Sequence, residues 1–426
     1  MNKNEIFLDD FINYATYAYG DDEPYITYAG AKKTLIGFLF LYIINEQLEF
    51  ANFKNTDDYL KLHSYLSKIF SSGNFNDDVL KEISNLFEKN FELPSGILEI
   101  ESLKNYLHHG LMIFKENLNL GNLPPDIDCS SVLKDLISRP QTSRDSANTY
   151  LYYTNESLQQ LAAGILKVKN NETFMDCCCG MFSSALYNDA ANYIGVELDK
   201  EIAGIAAMIL IMAKKKFNIK HENFLDYKDE NVADKILADI PCGTGTPQTE
   251  NRPYGKNTEA YCIENVVNAL KDGGKAVVVC FGSILSKQDS SKKLREALTK
   301  DHLQAVVALP PMSNGTKSNT NLIVLQKNCH AKEIKFINAS NLDIKNKNRL
   351  TLDESDISDI IACLNGENTK CLFKDIPVED ILNSDSISWT PNNYVKGEEK
   401  SKGRSIEEID NDLNESYKEL KDLFLD

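Results

Sequence analysis

TFMDCCCGMF, residues 173–182, is followed at 192–199 by NYIGVELD, and the two stretches together decide the fold. Phe174 to Gly180 reads as a short apolar strand that feeds a tight turn and then a helix N-terminus, the place where open α/β sheets bind ligands. Roughly twenty residues further on, Gly195-Val196-Glu197 ends the next strand on an acid, the spacing of a carboxylate that accepts hydrogen bonds from ribose hydroxyls. Glu197 is therefore the candidate ribose acceptor. A third strand, Lys235 to Asp239, runs into Ile240-Pro241-Cys242-Gly243. Asn223-Phe224 lies upstream of it, where the wall of a pocket for an adenine ring fits. A glycine after a strand is usually only a turn residue and an acid there is often a helix cap, so the order and spacing of the set carry the reading.

Outward from this core, β-rich runs alternate with amphipathic stretches: KILADI, KAVVVCF, LQAVVALP, TNLIVLQK and IKFINAS follow the first two strands. The alternation predicts a doubly wound α/β domain, with a largely parallel sheet covered by helices on both faces. Before it, residues 4–118 repeat apolar positions at helical steps, as in KKTLIGFLFLYIINEQLEF and SLKNYLHHGLMIFKENL. Leu123-Pro124-Pro125 and the polar run Pro140 to Asn148 break that pattern. The expected organisation is a helical N-terminal domain over 1–140, the α/β domain over 141–345 and a C-terminal segment over 346–426. In that last segment Ile406, Ile409, Leu413, Tyr417, Leu420 and Phe424 form one helical stripe, suited to its own domain or to a partner protein.

A chain of 426 residues is too long for one ordinary domain, and its 42% apolar content is enough for real cores. The formal net charge of −17 argues against a chain that grips nucleic acid alone, because phosphate neutralisation needs a surplus of cations. Lys214-Lys215-Lys216 and Lys292-Lys293 with Arg295 read as solvated helix faces. The start, MNKNEIFLDDF, does not read as a signal peptide, and Leu35 to Ile44 is too short for a bilayer span, so a cytoplasmic protein is expected. The 10 cysteines read as free thiols, and Cys177, Cys178 and Cys179 are consecutive with no histidine at ligand spacing, so no metal site is expected.

These segments, in order, resemble the N6-adenine DNA methyltransferases, and most closely the modification subunit of type I DNA restriction-modification systems. Tyr153-Thr154-Asn155 resembles the family's Tyr-Thr-Pro, which helps hold the methionine end of S-adenosylmethionine. Asp176 to Phe182 resembles its Asp-Pro-x-Cys-Gly-Ser-Gly loop, with Asp176, Cys177, Cys179 and Gly180 as cofactor contacts. Glu197 matches the family's ribose acid and Asn223-Phe224 its adenine-pocket segment. Asp239-Ile240-Pro241-Cys242 matches the catalytic Asn-Pro-Pro-aromatic tetrad. NVVNALKDGGKAVVVCFGSILS, KKLREALTKDHLQAVVALPP and NTNLIVLQK reproduce the downstream strands and the Arg-containing helix, and Ser388-Trp389-Thr390-Pro391 with Tyr394 the segment before the C-terminal helix. The resemblance implies methyl transfer to the exocyclic amine of adenine in duplex DNA. It also implies a DNA-specificity subunit, with a second modification subunit and a restriction subunit as further partners; no membrane association is expected, from the short apolar run at 35–44.

Two motifs depart from the family. Phe182 replaces the second loop glycine, so its ring must either turn away or fill the space of the methionine moiety. Cys242 replaces the aromatic that stacks on the flipped base, a contact worth about 1–3 kcal/mol in single-strand binding systems. Tyr254 or Tyr261 could substitute for it. The departures leave a second reading, a methyltransferase fold without catalysis that serves as an assembly subunit. A third reading takes DIPCGTG at 239–245 as resembling the loop of RNA 5-methylcytosine methyltransferases, with Cys242 and Cys280 as the thiols.

Overall fold

A computed structural model describes residues 129–138, 154–240, 254, 257–312, 319–344, 350–367 and 369–395. The expected N-terminal helical domain, except for its last helix, and the expected C-terminal helix lie outside the described residues. The described chain runs α1 (Cys129–Ser138), α2 (Glu156–Leu166), β1 (Thr173–Asp176), β2 (Asn192–Glu197), α3 (Lys200–Met212), β3 (Phe217–His221), β4 (Ala233–Asp239) and α4 (Thr258–Ala269). It continues through β5 (Leu270–Cys280), α5 (Gly282–Ser286), α6 (Ser291–Asp301), β6 (Leu303–Ala308), β7 (Asn321–Gln326), β8 (Glu333–Asn338), α7 (Glu354–Leu364), β9 (Leu372–Pro377) and α8 (Val378–Leu382).

The strands form one nine-stranded sheet in the order β3-β2-β1-β4-β5-β7-β6-β8-β9. The pairings β1–β2, β1–β4, β2–β3, β4–β5 and β6–β8 are parallel, while β7 lies antiparallel between β5 and β6 and β9 is antiparallel to β8. The expected doubly wound α/β fold is therefore present, with its strand order reversing between β1 and β4. β3 and β9 are strands that the apolar runs did not announce. FNIKH is short and half polar, and LFKDIP is an edge strand with an exposed outer face, so neither shows the continuous apolar signature of a strand buried on both sides.

Successive residues of each central strand enter opposite cores. Phe174 joins α2 and α3 on one face, and Met175 joins α4 and α6 on the other. α3 is apolar nearly all round, with Ile202, Ala203, Ala206, Ala207, Ile209 and Leu210 inaccessible, as a helix enclosed by its domain must be. α2 starts cleanly because the Asn155 side chain accepts a hydrogen bond from the Ser157 N–H at 2.9 Å, and it stops at Lys167 in a left-handed conformation. α1 contributes Val132, Leu133 and Ile137 to the same core as α3.

One expectation is overturned here. Arg295, expected with its lysine neighbours on a solvated face, has 0% exposure. Its guanidinium donates to the carbonyls of Ile387 (2.8 Å), Ile284 (3.0 Å), Lys287 (2.9 Å) and Ser386 (3.3 Å) and to the Ser291 hydroxyl (3.1 Å). The five donors of a fixed planar fork tie α5 and α6 to the segment after α8, a job that a lysine ammonium could not do. Trp389 of that segment is equally buried, its indole N–H donating to the Thr299 hydroxyl at 2.8 Å. Charge alone could not distinguish a solvated arginine from a buried clamp, because both sit at helical spacing among lysines.

Candidate functional site

The strand order reverses between β1 and β4, and a ligand crevice in this class of sheet lies at the carboxyl ends of that pair. Asp176 ends β1, Glu197 ends β2 and Asp239 ends β4, on three consecutive parallel strands with β1 between the other two. The sheet register therefore brings together three acids that lie far apart in sequence. Thr154, just before α2, joins them through its hydroxyl, which hydrogen-bonds the Asp239 carboxyl. Gln159, itself buried, fixes Thr154 from behind by donating its amide N–H to the Thr154 carbonyl.

The loop after β1 is held by both neighbouring strands. The Cys177 N–H donates to the Leu237 carbonyl of β4 at 3.1 Å, and the Cys179 N–H donates to the Val196 carbonyl of β2 at 3.0 Å. Gly180 follows at φ +52°, a left-handed conformation that glycine adopts without steric cost. Its N–H donates to Glu197 Oε2 at 2.8 Å, while the Asp199 N–H donates to Oε1 at 2.8 Å. The Glu197 carboxylate is thus fixed in direction by backbone on both oxygens, and each oxygen keeps a lone pair for a ligand.

Phe182 also has a positive φ, +55°, which accounts for a glycine at this position in the related motif. Its ring turns away from the crevice. It has 0% exposure and packs 6.3 Å from the Phe174 ring and 6.4 Å from the Tyr193 ring, within the core that holds α3. Gly195 on β2 makes room for it, since a Cβ there would lie 2.9 Å from two Phe182 ring carbons and 3.0 Å from Cys179 Sγ. Of the two alternatives posed by the sequence, the ring takes the one that leaves the crevice clear.

On the far side of β2, the Asn223 side chain accepts from the Leu225 N–H at 3.1 Å and starts a 3-10 turn over Phe224–Asp226. Phe224 is buried, its ring tilted against Tyr227 at a centroid distance of 5.4 Å. Leu198, directly after Glu197, is 64% exposed, an uncommon state for a leucine in this domain. Leu198 carries no signal in the sequence, because exposure is invisible in an apolar residue that ends a strand. Ser184 is silent in the sequence for another reason: only the folded turn returns its hydroxyl to Asp176 Oδ2, at 2.5 Å.

Burial dominates the electrostatics. It pushes the Asp176 carboxyl up to about 7, with the neighbouring Asp239 charge adding to the shift and the Ser184 bond opposing it. Burial likewise raises Asp239 to about 6, against the Thr154 hydrogen bond. Glu197 is also raised by burial, with the Asp199 and Gly180 N–H groups opposing. An acid whose folded-state value lies above its unfolded value holds more protons folded than unfolded in the window between the two, so its contribution to stability falls as pH rises through that window. For Asp176 the window runs from about 4 to about 7. Asp176→Asn keeps an acceptor for Ser184 and removes the charge. Its urea midpoint is expected to fall less between pH 5 and pH 8 than that of the parent chain, and equal slopes would contradict the assignment.

Asp176 Oδ1 is buried with no hydrogen-bond partner. An unfilled buried acceptor, an oriented carboxylate beside it and a positive-φ glycine between them fit a ligand with N–H or ammonium donors and vicinal hydroxyls, such as the expected S-adenosylmethionine. Among the described residues no group of three or more His, Cys, Asp and Glu side chains could hold a metal ion, and no helix is long and apolar enough to cross a membrane.

Tyr153, Pro241 and Cys242 lie outside the described residues. Tyr254 and Tyr261, considered as substitutes for the stacking aromatic, are both buried, packed edge to face at 5.2 Å, with the Tyr254 hydroxyl donating to Glu264 at 2.8 Å. Neither offers a free ring face. Burial raises the thiols of Cys177, Cys178 and Cys179 well above their ordinary range and Cys262 to about 12, and Cys280 is buried at the end of β5. Of the two thiols that the RNA-methylating reading names, Cys280 is enclosed in the core and Cys242 lies outside the described residues.

The strand order and the three converging acids define a methyltransferase-type doubly wound domain. Residues 141–403 match the N-6 DNA Methylase family, and the chain belongs to it. It is 28% identical over 174 residues, 40% of its length, to the type I restriction enzyme MpnII methylase subunit of Mycoplasma pneumoniae, and the matched stretch spans 32% of that relative. The crystal structure of the type I restriction-modification system methyltransferase subunit from Streptococcus thermophilus superposes with a TM-score of 0.67 at 17% identity, over 92% of this chain and 100% of that one. A structure from work on complex assembly and conformational transition of the type I R-M system superposes with a TM-score of 0.65 at 16% identity, over 99% and 97% of the two chains. At these identities the likeness shows a shared fold.

Proposed function

We propose that the chain transfers a methyl group from S-adenosylmethionine to the exocyclic amine of adenine in duplex DNA, as the modification subunit of a type I restriction-modification-like complex. The observation that carries the reading is the fixed, doubly anchored Glu197 carboxylate beside the unpartnered Asp176 Oδ1, with Asp239 at the end of the adjoining strand. When bound, the cofactor supplies an activated methyl group on a sulfonium centre.

In this reading Glu197 accepts hydrogen bonds from the ribose hydroxyls. Leu198 and Phe224 flank the adenosyl base, with Asn223 holding the turn that carries Phe224. The loop from Asp176 through Cys177 and Cys179 to Gly180 meets the methionine portion, and Tyr153 and Thr154 close it from the α2 side. Asp239 and the Ile240 carbonyl accept the two N–H bonds of the target amine, which turns its lone pair toward the methyl group. Pro241 and Cys242 complete that loop. Extruding the target base is what brings its amine to the strand ends. The net charge of −17 supports delivery of DNA by a basic DNA-specificity subunit, with the apolar stripe at 406–424 as the partner-binding element. A second modification subunit and a restriction subunit fit the same assembly. In the domain organisation we favour, residues 1–140 are helical, 141–345 hold the site and 346–426 form the C-terminal segment.

Titration calorimetry of the full chain with S-adenosylmethionine should show one saturable site. Glu197→Gln, which keeps the shape but not the charge, should weaken it by about tenfold, the scale of one charge-assisted hydrogen bond. Label from the methyl group should then appear on adenine of duplex DNA once the specificity partner is added. An intact fold that binds no cofactor at millimolar concentration would favour the assembly-subunit reading instead.

A further inference from the structure

The turn that carries Phe224 is held by a residue that none of the sequence motifs assigns. From the middle of α4, Asn265 Nδ2 donates to the Phe224 carbonyl at 2.8 Å and to the Leu225 carbonyl at 3.3 Å. The same turn is closed internally by the Asn223 side chain on the Leu225 N–H at 3.1 Å, the Asp226 N–H on the Asn223 carbonyl at 2.9 Å and the Tyr227 N–H on the Phe224 carbonyl at 3.2 Å. Those bonds shape the turn. They do not fix where it sits relative to the sheet. Asn265 supplies a hydrogen-bonded tie beside the burial of Phe224 and Leu225 in the core that holds α4, because α4 is packed against β4 and β5 while the turn follows β3, two strands beyond β1. A primary amide with two N–H donors can serve two successive carbonyls at once, adding a second bond to the Phe224 carbonyl, which the Tyr227 N–H also reaches, and pairing the Leu225 carbonyl.

We infer that Asn265 is a positioning residue for the adenosyl end of the site: by fixing the Phe224 backbone against α4, it sets affinity for the adenosyl group without touching the reacting atoms. The inference rests on the methyl-transfer reading. Asn265→Asp is isosteric but accepts only, so at neutral pH it removes both donors and sets a negative charge against two carbonyl oxygens.

The full chain is titrated with S-adenosylhomocysteine, and methyl transfer is measured with partner and DNA present. Asn265→Asp is expected to raise Kd and the KM for the cofactor by about tenfold, with the rate at saturating cofactor within about twofold of the parent. Asn265→Gln, which keeps the donors, should recover most of the affinity. In a Phe224→Ala background Asn265→Asp should cost less than about twofold, because the positioned group is gone.

Unchanged affinity in Asn265→Asp, a full tenfold loss that persists in Phe224→Ala, or a fall in saturated rate at unchanged affinity would each overturn the assignment. Should Asn265→Asp not fold, Asn265→Ser, too short to reach either carbonyl, carries the same comparison. A parent chain that binds no S-adenosylhomocysteine overturns the methyl-transfer reading and this inference with it. A parent that binds while Asn265→Asp and Asn265→Ser bind equally well overturns this inference alone.

Discussion

Asp239→Ala will lower the rate of methyl transfer at saturating cofactor and DNA by about 10²–10³-fold, the effect of removing one preorganised group aimed at the reacting centre. Asp239 stands at the carboxyl end of β4, beside the β1 end that carries Asp176, and its carboxyl is held by the Thr154 hydroxyl. The target amine is a poor nucleophile while its lone pair is delocalised into the ring, so acceptors that draw both N–H bonds out of the ring plane act mainly in the transition state. In the related motif an asparagine does this. Here burial raises the aspartate to about 6, so the ionised acceptor form is populated only above that value. The rate in the parent chain should therefore rise with pH through about 6, the apparent value belonging to the Asp176–Asp239 pair rather than to one residue. Asp239→Asn keeps one acceptor oxygen and cannot titrate. It should lose less than about tenfold in rate and lose the rise through this region as well. Single-turnover transfer of labelled methyl to duplex DNA between pH 5 and 9 measures both effects. An Asp239→Ala rate within tenfold of the parent would remove Asp239 from the chemistry.

The sheet was legible in the sequence because its central strands are buried on both faces and leave continuous apolar runs such as KAVVVCF, which need no partner to be recognised. The positions of Asp176, Glu197 and Asp239 were legible for a related reason. Each is the first acid after such a run, and parallel pairing places the ends of adjacent strands side by side. What stayed hidden depends on contacts distant in sequence. Arg295 looked like its lysine neighbours until the carbonyls of Ser386 and Ile387, some ninety residues later, came to surround it. Asn265 carries no signal of its own in the sequence, because Phe224, whose carbonyl it pairs, lies forty-one positions earlier. The rotamer of Phe182 was undetermined for the same reason, because the space that receives it is the missing side chain of Gly195 on another strand.

Phe182→Gly will destabilise the domain by about 2–4 kcal/mol even though it installs the residue that the related loop carries. Two effects compete. A side chain in the left-handed region costs about 1–2 kcal/mol, which glycine relieves, although glycine gives back about 0.5–1 kcal/mol through the greater freedom of its unfolded chain. Against that small net gain stands the loss of a fully buried aromatic, about 3–5 kcal/mol when the ring is deleted and its surroundings cannot collapse. Collapse is hindered because Phe174 and Tyr193, the rings that flank Phe182, are themselves anchored in strands, and the Tyr193 hydroxyl is held by the Asn188 carbonyl at 2.8 Å. The core term wins. Because the ring fills the space above Gly195 and not the crevice, affinity for S-adenosylhomocysteine should stay within about twofold of the parent under conditions where the variant is folded. Urea unfolding at neutral pH and titration calorimetry of the same preparation separate the two readouts. A variant that keeps its stability and binds the cofactor at least tenfold more tightly would mean that the ring obstructs the site in solution. Phe182 would then be an inhibitory residue of the loop and not a core residue that has taken a glycine's place.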